Sequence, residues 1–155
     1  MGKLLTIIAT AALATALAGC TGDGCLDNGS ALPLAQFYVD DTQMSVNNLT
    51  VKGVEAPGDT LLTDDETVTR VYLPLRPTTT ECKYVLDYND ENIVPDTITF
   101  TYTPVPTFVS HDCGAMFFFE MHDVNYTTHV VDSVAVLYPV IDNLDRVSVK
   151  IFMQE

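Results

Sequence analysis

Tryptophan is absent from the 155 residues, and Lys and Arg together number only 7 against 21 Asp and Glu. The formal charge of −14 excludes binding to a nucleic-acid backbone, which needs clustered Lys and Arg. It also disfavours electrostatic docking onto anionic lipid. Beyond the N-terminus there is no apolar run of about 20 residues, so no spanning helix is expected there. Internal repeats, low-complexity segments and sustained helical periodicity are missing as well. Without tryptophan there is no Cys…Trp…Cys pattern of an antibody-type domain. The usual sugar-stacking platform goes with it, although Tyr38, Tyr72, Tyr84, Tyr88, Tyr102 and Tyr126 can substitute in part. What remains is 47% hydrophobic and 18% charged, too apolar for a disordered chain and of a length that suits one core.

The first 20 residues read as an address. Lys3 precedes an apolar run from Leu4 to Ala18, broken only by Thr6, Thr10 and Thr15, which ends in Leu17-Ala18-Gly19-Cys20. A short apolar region with these flanks is a secretory signal and not a spanning helix. Its last four residues resemble the bacterial lipobox, which implies lipidation of Cys20, removal of residues 1–19 and a mature chain beginning at Cys20. Acyl chains would then anchor the protein, each buried methylene contributing about 0.8 kcal/mol. Thr21 follows where an aspartate would signal inner-membrane retention, so an outer-membrane lipoprotein facing the periplasm is expected. Thr21-Gly22-Asp23-Gly24 is small and polar, as a flexible tether requires. The expected organisation is a signal at 1–19, a lipidated tether at 20–31 and a folded domain at 32–155.

With Cys20 carrying lipid, Cys25, Cys82 and Cys113 remain, so three pairings are open and one thiol is left over. Cys82 alternates with polar residues in step with Tyr84, Leu86 and Tyr88, on the more apolar face of a strand, where a free cysteine behaves as a small hydrophobe. Cys25 lies in the tether and Cys113 in the polar turn Ser110-His111-Asp112-Cys113-Gly114. A Cys25–Cys113 bridge would staple the N-terminus to the domain, closing a long loop worth about 4–5 kcal/mol in the chain-entropy account. A metal held by Cys113 and His111 would need two more ligands, which the spacing does not supply.

The rest of the chain reads as strands: Leu34 to Val39, Val46 to Val54, Thr67 to Leu73, Cys82 to Tyr88, Asp96 to Thr103, Ala115 to Val124, Val130 to Ile141 and Arg146 to Met153. Ala56-Pro57-Gly58-Asp59 is a strong turn signal. In the clearest segment Ile98, Phe100 and Tyr102 point one way and Thr97, Thr99, Thr101 and Thr103 the other, the period of a half-buried strand. Pro104 and Pro106 mark an edge or bend, because proline cannot donate to a central ladder. The last two strands look like a terminal hairpin. Seven to nine strands at this spacing predict an all-β, antiparallel sandwich, preferred over a barrel, in which an immunoglobulin-like topology is one option.

Chemistry is sparse. Ser110-His111-Asp112 holds triad residue types, but sequence neighbours cannot face one another as a triad does. His122 and His129 flank Asp123-Val124-Asn125, an expected turn between two strands that could bring them together, with no third ligand nearby. Asp87-Tyr88-Asn89-Asp90-Glu91-Asn92 opens like a calcium loop, yet its sixth position is Asn92 and its twelfth Ile98, where an EF-hand has glycine and glutamate. Asp87, Asn89, Asp90 and Glu91, sharing a cation with Asp64, Asp65 and Glu66, are therefore weak calcium candidates, and a solvated turn is the plainer expectation. No cofactor and no catalytic set is expected; a hydrolase is the least supported option.

Several stretches together resemble an uncharacterised family of small lipoproteins from Bacteroidota. They are the lipobox at Cys20, Cys25-Leu26-Asp27, Gln36-Phe37-Tyr38-Val39-Asp40, Asn48-Leu49-Thr50-Val51, Val71-Tyr72-Leu73-Pro74-Leu75, Asp96-Thr97-Ile98-Thr99-Phe100-Thr101-Tyr102 and Val109-Ser110-His111-Asp112-Cys113-Gly114. The resemblance implies a β-rich envelope domain and cysteines matching Cys25 and Cys113, which supports that bridge; Cys82 departs from the pattern. It implies no activity. The expectation is a lipid-anchored envelope protein acting as an accessory or scaffold subunit with an envelope partner, or alternatively a glycan- or calcium-binding module.

Overall fold

The computed structural model describes residues 30–56, 60–111 and 114–154. Eleven strands run in chain order: β1 (Leu34–Val39), β2 (Thr42–Gln43), β3 (Val46–Gly53), β4 (Leu61–Val68), β5 (Arg70–Tyr72), β6 (Glu81–Asp87), β7 (Asp96–Ser110), β8 (Gly114–Tyr126), β9 (Val131–Val136), β10 (Val140–Ile141) and β11 (Val147–Met153). One sheet has the order β2-β1-β11-β9, with β5 also paired to β1; the other has the order β10-β8-β7-β6-β3-β4. The all-β, sandwich-like class holds. No helix among the described residues is long and apolar enough to cross a membrane.

Period-two burial builds the core. Cys82, Tyr84 and Leu86 of β6 are buried while Glu81 and Lys83 are exposed. Asp96, Ile98, Phe100 and Tyr102 of β7 turn the same way, as the threonine alternation predicts. Opposite them stand Phe37 of β1 with Val149 and Ile151 of β11, all at 0–1% exposure. Each such side chain contributes about 1.5–3 kcal/mol by leaving water. Ala31, at the end of the expected tether, is already in this core.

Four details depart from the sequence reading. The ladder is not wholly antiparallel: β1 and β11 run parallel, from Leu34↔Val147 to Tyr38↔Phe152. A parallel pair needs a long connection between its strands, and nearly the whole domain lies between these two. The strand count exceeds nine, helped by β2, β5 and β10, which are only two or three residues long. The expected strand Thr67 to Leu73 is split between the end of β4 and β5, and β4 begins earlier, at Leu61, because Asp64, Asp65 and Glu66 leave little hydrophobic pattern on an edge strand. Finally, Val130 to Ile141 is not one strand. β9 pairs with β11 in one sheet, and after Pro139 the chain crosses so that Val140 and Ile141 pair with Glu120 and Phe119 of β8 in the other.

Candidate functional site

The longest hairpin outgrows the sandwich. β6 accompanies β7 only from Asp96 to Thr101, and β10 flanks β8 only at Phe119 and Glu120. From Pro104↔Phe119, where β10 still flanks β8, the pair runs on as a two-stranded arm through Pro106↔Phe117 and Phe108↔Ala115 to Ser110↔Gly114. Seven residues of β7 make this arm about 20 Å long. Its direction of pointing follows from the core: Tyr102, Pro104, Pro106 and Phe108 alternate on one face, and so do Phe119, Phe117 and Ala115 across the ladder. The face that is core at Tyr102 (0% exposed) and Phe119 (3%) therefore emerges into solvent at Phe117 (42%) and Phe108 (64%). The His111 ring stands edge-on to Phe108, with centroids 5.7 Å apart.

The prolines explain why the arm stays a ribbon. Tyr102 sends its N–H towards the β6 side, to the carbonyl of Thr80 at 2.9 Å. In a strand every second N–H points the same way, so Pro104 and Pro106 stand where an N–H would face the open edge left by β6. Sequence reasoning ended the strand at Thr103 and read these prolines as an edge or a bend; they do stand on an edge, but the strand runs on to Ser110. They leave its pairing with β8 intact and remove two donors from the exposed edge, which blunts pairing with other chains.

Two polar nodes lie inside. Asp96, 0% exposed, accepts hydrogen bonds at Oδ1 from Thr127 Oγ1 (2.7 Å) and the His129 amide (2.8 Å). At Oδ2 it accepts from the amides of Val130 (2.7 Å) and Val131 (2.9 Å) and from the Tyr88 hydroxyl (3.0 Å). His129 Nδ1 is 3.2 Å from Oδ1. Burial pushes this carboxyl up, but the donors from His129, Thr127, Val131 and Val130 outweigh it, and the group is held below the usual carboxylate range. Burial, with the Asp96 charge beside it, pushes the Tyr88 phenol well above its ordinary value. Nothing in the sequence marks Asp96, because its donors arrive from residues 127–131.

The second node is centred on Tyr102. Its hydroxyl donates to the Arg76 carbonyl (2.9 Å) and accepts from the Arg76 amide (3.1 Å). Thr79 Oγ1 and Cys82 Sγ lie 3.2 and 3.0 Å from the same oxygen. Cys82 is a free, buried cysteine. Burial and the Cys82 contact hold the Tyr102 phenol above its ordinary range. Tyr84 donates to the Pro74 carbonyl, and burial raises its phenol strongly. Tyr84, Tyr88 and Tyr102 are thus core residues with engaged hydroxyls, which removes three of the six tyrosines from any sugar-stacking platform.

The calcium candidates do not converge. Among the described residues no group of three or more His, Cys, Asp or Glu is placed to hold a metal ion. Asp87 Oδ1 accepts the Asn89 amide at 3.0 Å, and Asp90 Oδ1 accepts both the amide and Nδ2 of Asn92. Glu91 is exposed. The anticipated approach to the Asp64–Glu66 stretch does occur, but an amide bridges it: Asn89 Nδ2 reaches the Asn48 carbonyl (2.9 Å), Thr50 Oγ1 (2.9 Å) and Asp65 Oδ1 (3.3 Å). Asn48, Asp65 and Asn89 all have φ near +50°, a conformation Asn and Asp tolerate better than other side chains. The cluster is a knot that fastens the β3–β4 bulges to the β6–β7 loop.

His122 and His129 hold different partners. His122 Nε2 is 2.7 Å from Thr103 Oγ1 on the neighbouring strand, while His129 sits beside Asp96, because β8 runs unbroken through the supposed turn to Tyr126. Ser110 and His111 occupy the arm tip. Cys20, Cys25, Asp112 and Cys113 lie outside the described residues, and so do the signal and nearly all of the tether.

No curated protein and no solved structure matches this chain. A family model does match, over residues 48–153, from β3 to the last residue of β11 and including the whole arm. The chain belongs to that family, the family of unknown function (DUF6452).

Proposed function

We propose that this protein is a lipid-anchored component of the bacterial cell envelope and an accessory or scaffold subunit, which docks a membrane-proximal partner protein through the partly exposed aromatic face of the β7–β8 arm. The observation that carries the reading is the exposure of Phe117 and Phe108 on a face continuous with the core. A ribbon offering aromatic side chains beside a proline-blunted edge is suited to side-on docking and not to strand addition. The net charge of −14 favours a partner whose apolar ridge is rimmed by Lys and Arg. The reading assigns the domain no catalysis.

The lipobox at Cys20 supports anchoring in the outer membrane, facing the periplasm, in a lipoprotein of the kind found in Bacteroidota. A Cys25–Cys113 disulfide fits the same picture. Ser30 shares a surface hollow with Met116 and Phe117. Cys25 is five residues before Ser30, a reach of about 17 Å, and Gly114 is about 10 Å along β8 from Phe117. The bridge would keep the arm tip within a short tether of Cys20, so the partner surface would lie close to the membrane.

The test places a photo-crosslinking residue at Phe108 or Phe117, and a control at Glu66 on β4, in cells carrying the native membrane. Adducts of one size from both arm positions and none from Glu66 are expected. Equal labelling from all three positions, or none from the arm, would overturn the reading.

A further inference from the structure

The described chain starts at Ser30, and it starts on a hollow. The hollow, of about 400 Å³, lies at the root of the arm between the residues before β1, the segment after β5 and the stretch of β8 from Met116 to Phe119. Leu75 and Phe119, both buried, line it together with Met116, Phe117 and Pro77, and apart from Ser30 every lining residue is apolar. The point where the chain enters is fixed. Ala31 is buried in the core, the Leu73 amide donates to the Pro33 carbonyl at 2.9 Å, and the Leu34 amide donates to Ser148 Oγ at 3.0 Å. From Thr21 to Gly29 the sequence is small and polar except at Cys25 and Leu26, and Leu26 is the single large aliphatic residue there. It stands four residues before Ser30, within about 14 Å of it.

We propose that the chain's own tether occupies this hollow, with Leu26 seated against Leu75, Met116 and Phe119 as a non-covalent clamp between the membrane anchor and the root of the arm. An apolar cavity of about 150 Å³ is enough for benzene, so about 400 Å³ has room for a leucine side chain and the main chain that carries it. A segment joined so closely to its site is present at an effective concentration on the order of millimolar, which places it ahead of any free ligand. Phe108, 64% exposed and outside the hollow, is left to the partner. What the clamp adds to the reading above, and rests on it for, is the position of the anchor. Cys20 is six residues before Leu26, a reach of about 20 Å, so the lipid would hold the root of the arm near the membrane even without the disulfide. The clamp itself needs neither a partner nor the bridge.

The test uses the full chain in its native membrane. A diazirine-bearing aliphatic residue at position 26 should give, on illumination, adducts within the chain that peptide mass mapping places in residues 74–77 or 116–119; the same residue at position 23 should not. Because these adducts are internal, they report the clamp whether or not a partner is present. Peroxide gives the second readout. Leu26→Ser should speed oxidation of Met116 about threefold by uncovering it, while Met121, half-buried at a different hollow, keeps its rate. Leu26→Ile should restore the slow rate at Met116. If Leu26→Ser does not fold, the internal adducts decide alone. Dithiothreitol, which opens the expected Cys25–Cys113 bridge, should leave the contrast at Met116 in place. Adducts from position 26 in another protein or in lipid, equal Met116 rates in wild type and Leu26→Ser, or a contrast that disappears on reduction would overturn the proposal.

Discussion

Asp96→Ala removes one side chain from the start of β7 and strands a whole turn. The main-chain amides of His129, Val130 and Val131 all end on this carboxylate, at 2.7–2.9 Å. A buried donor left without an acceptor costs about 1–3 kcal/mol. The His129 side chain is 44% exposed, so water can reach that end of the turn and soften the loss. The Thr127 and Tyr88 hydroxyls can rotate to other acceptors. The expected destabilisation is therefore about 3–5 kcal/mol, a large share of the roughly 5–15 kcal/mol available to a domain. Asp96→Asn should cost nearly as much, because its NH₂ must face either the two donors at Oδ1 or the three at Oδ2. The carboxyl is held below its usual range. Its contribution is thus complete above the unfolded value of about 3.9 and is lost as pH falls through the lower folded value. Urea denaturation of wild type and Asp96→Asn between pH 2 and 8 measures this. The stability gap should be flat above about pH 5 and close on acidification. A gap below about 0.5 kcal/mol at neutral pH, or one that widens in acid, would refute the argument.

Tyr102→Phe removes a hydroxyl that bonds both the amide and the carbonyl of Arg76. It should cost about 1–2 kcal/mol by denaturation and raise the alkylation rate of Cys82, which loses its hydroxyl partner. Asn89→Ala puts a less tolerant side chain at φ 50° and unties three contacts; a loss of about 1–2 kcal/mol is expected, and millimolar calcium should leave the melting temperature of the wild-type chain unchanged. Replacing Pro104 and Pro106 together by threonine restores two N–H groups to the open edge. Light scattering should then show faster aggregation at unchanged melting temperature.

How much of this was legible in sequence varied with the physics of each part. The Thr97–Thr103 alternation announces a half-wet strand because a sheet has period two, and β7 keeps that register at its core end. The arm was not legible. Proline reads as a strand breaker only where its missing N–H is needed, and past the end of β6 it is not. The first six residues of β4 escaped notice because none of residues 61–66 is buried, which leaves no pattern to detect. Asp96 had no local signal, since a carboxylate's partners 30 residues away are a property of the fold. Cys82 was legible as a buried thiol from its place in the alternation, whereas the calcium-like spacing failed because Asn89 turned an amide donor, and not an oxygen, towards its neighbours.

The central claim, that the arm docks a partner, is tested most directly by affinity capture of a C-terminally tagged full chain from native membranes, beside the double variant Phe108→Ser, Phe117→Ser. The account predicts one envelope protein recovered near stoichiometry with the wild-type chain and lost with the double variant, both chains melting at the same temperature. A partner retained equally by both, or a wild-type chain that comes away alone, would contradict it.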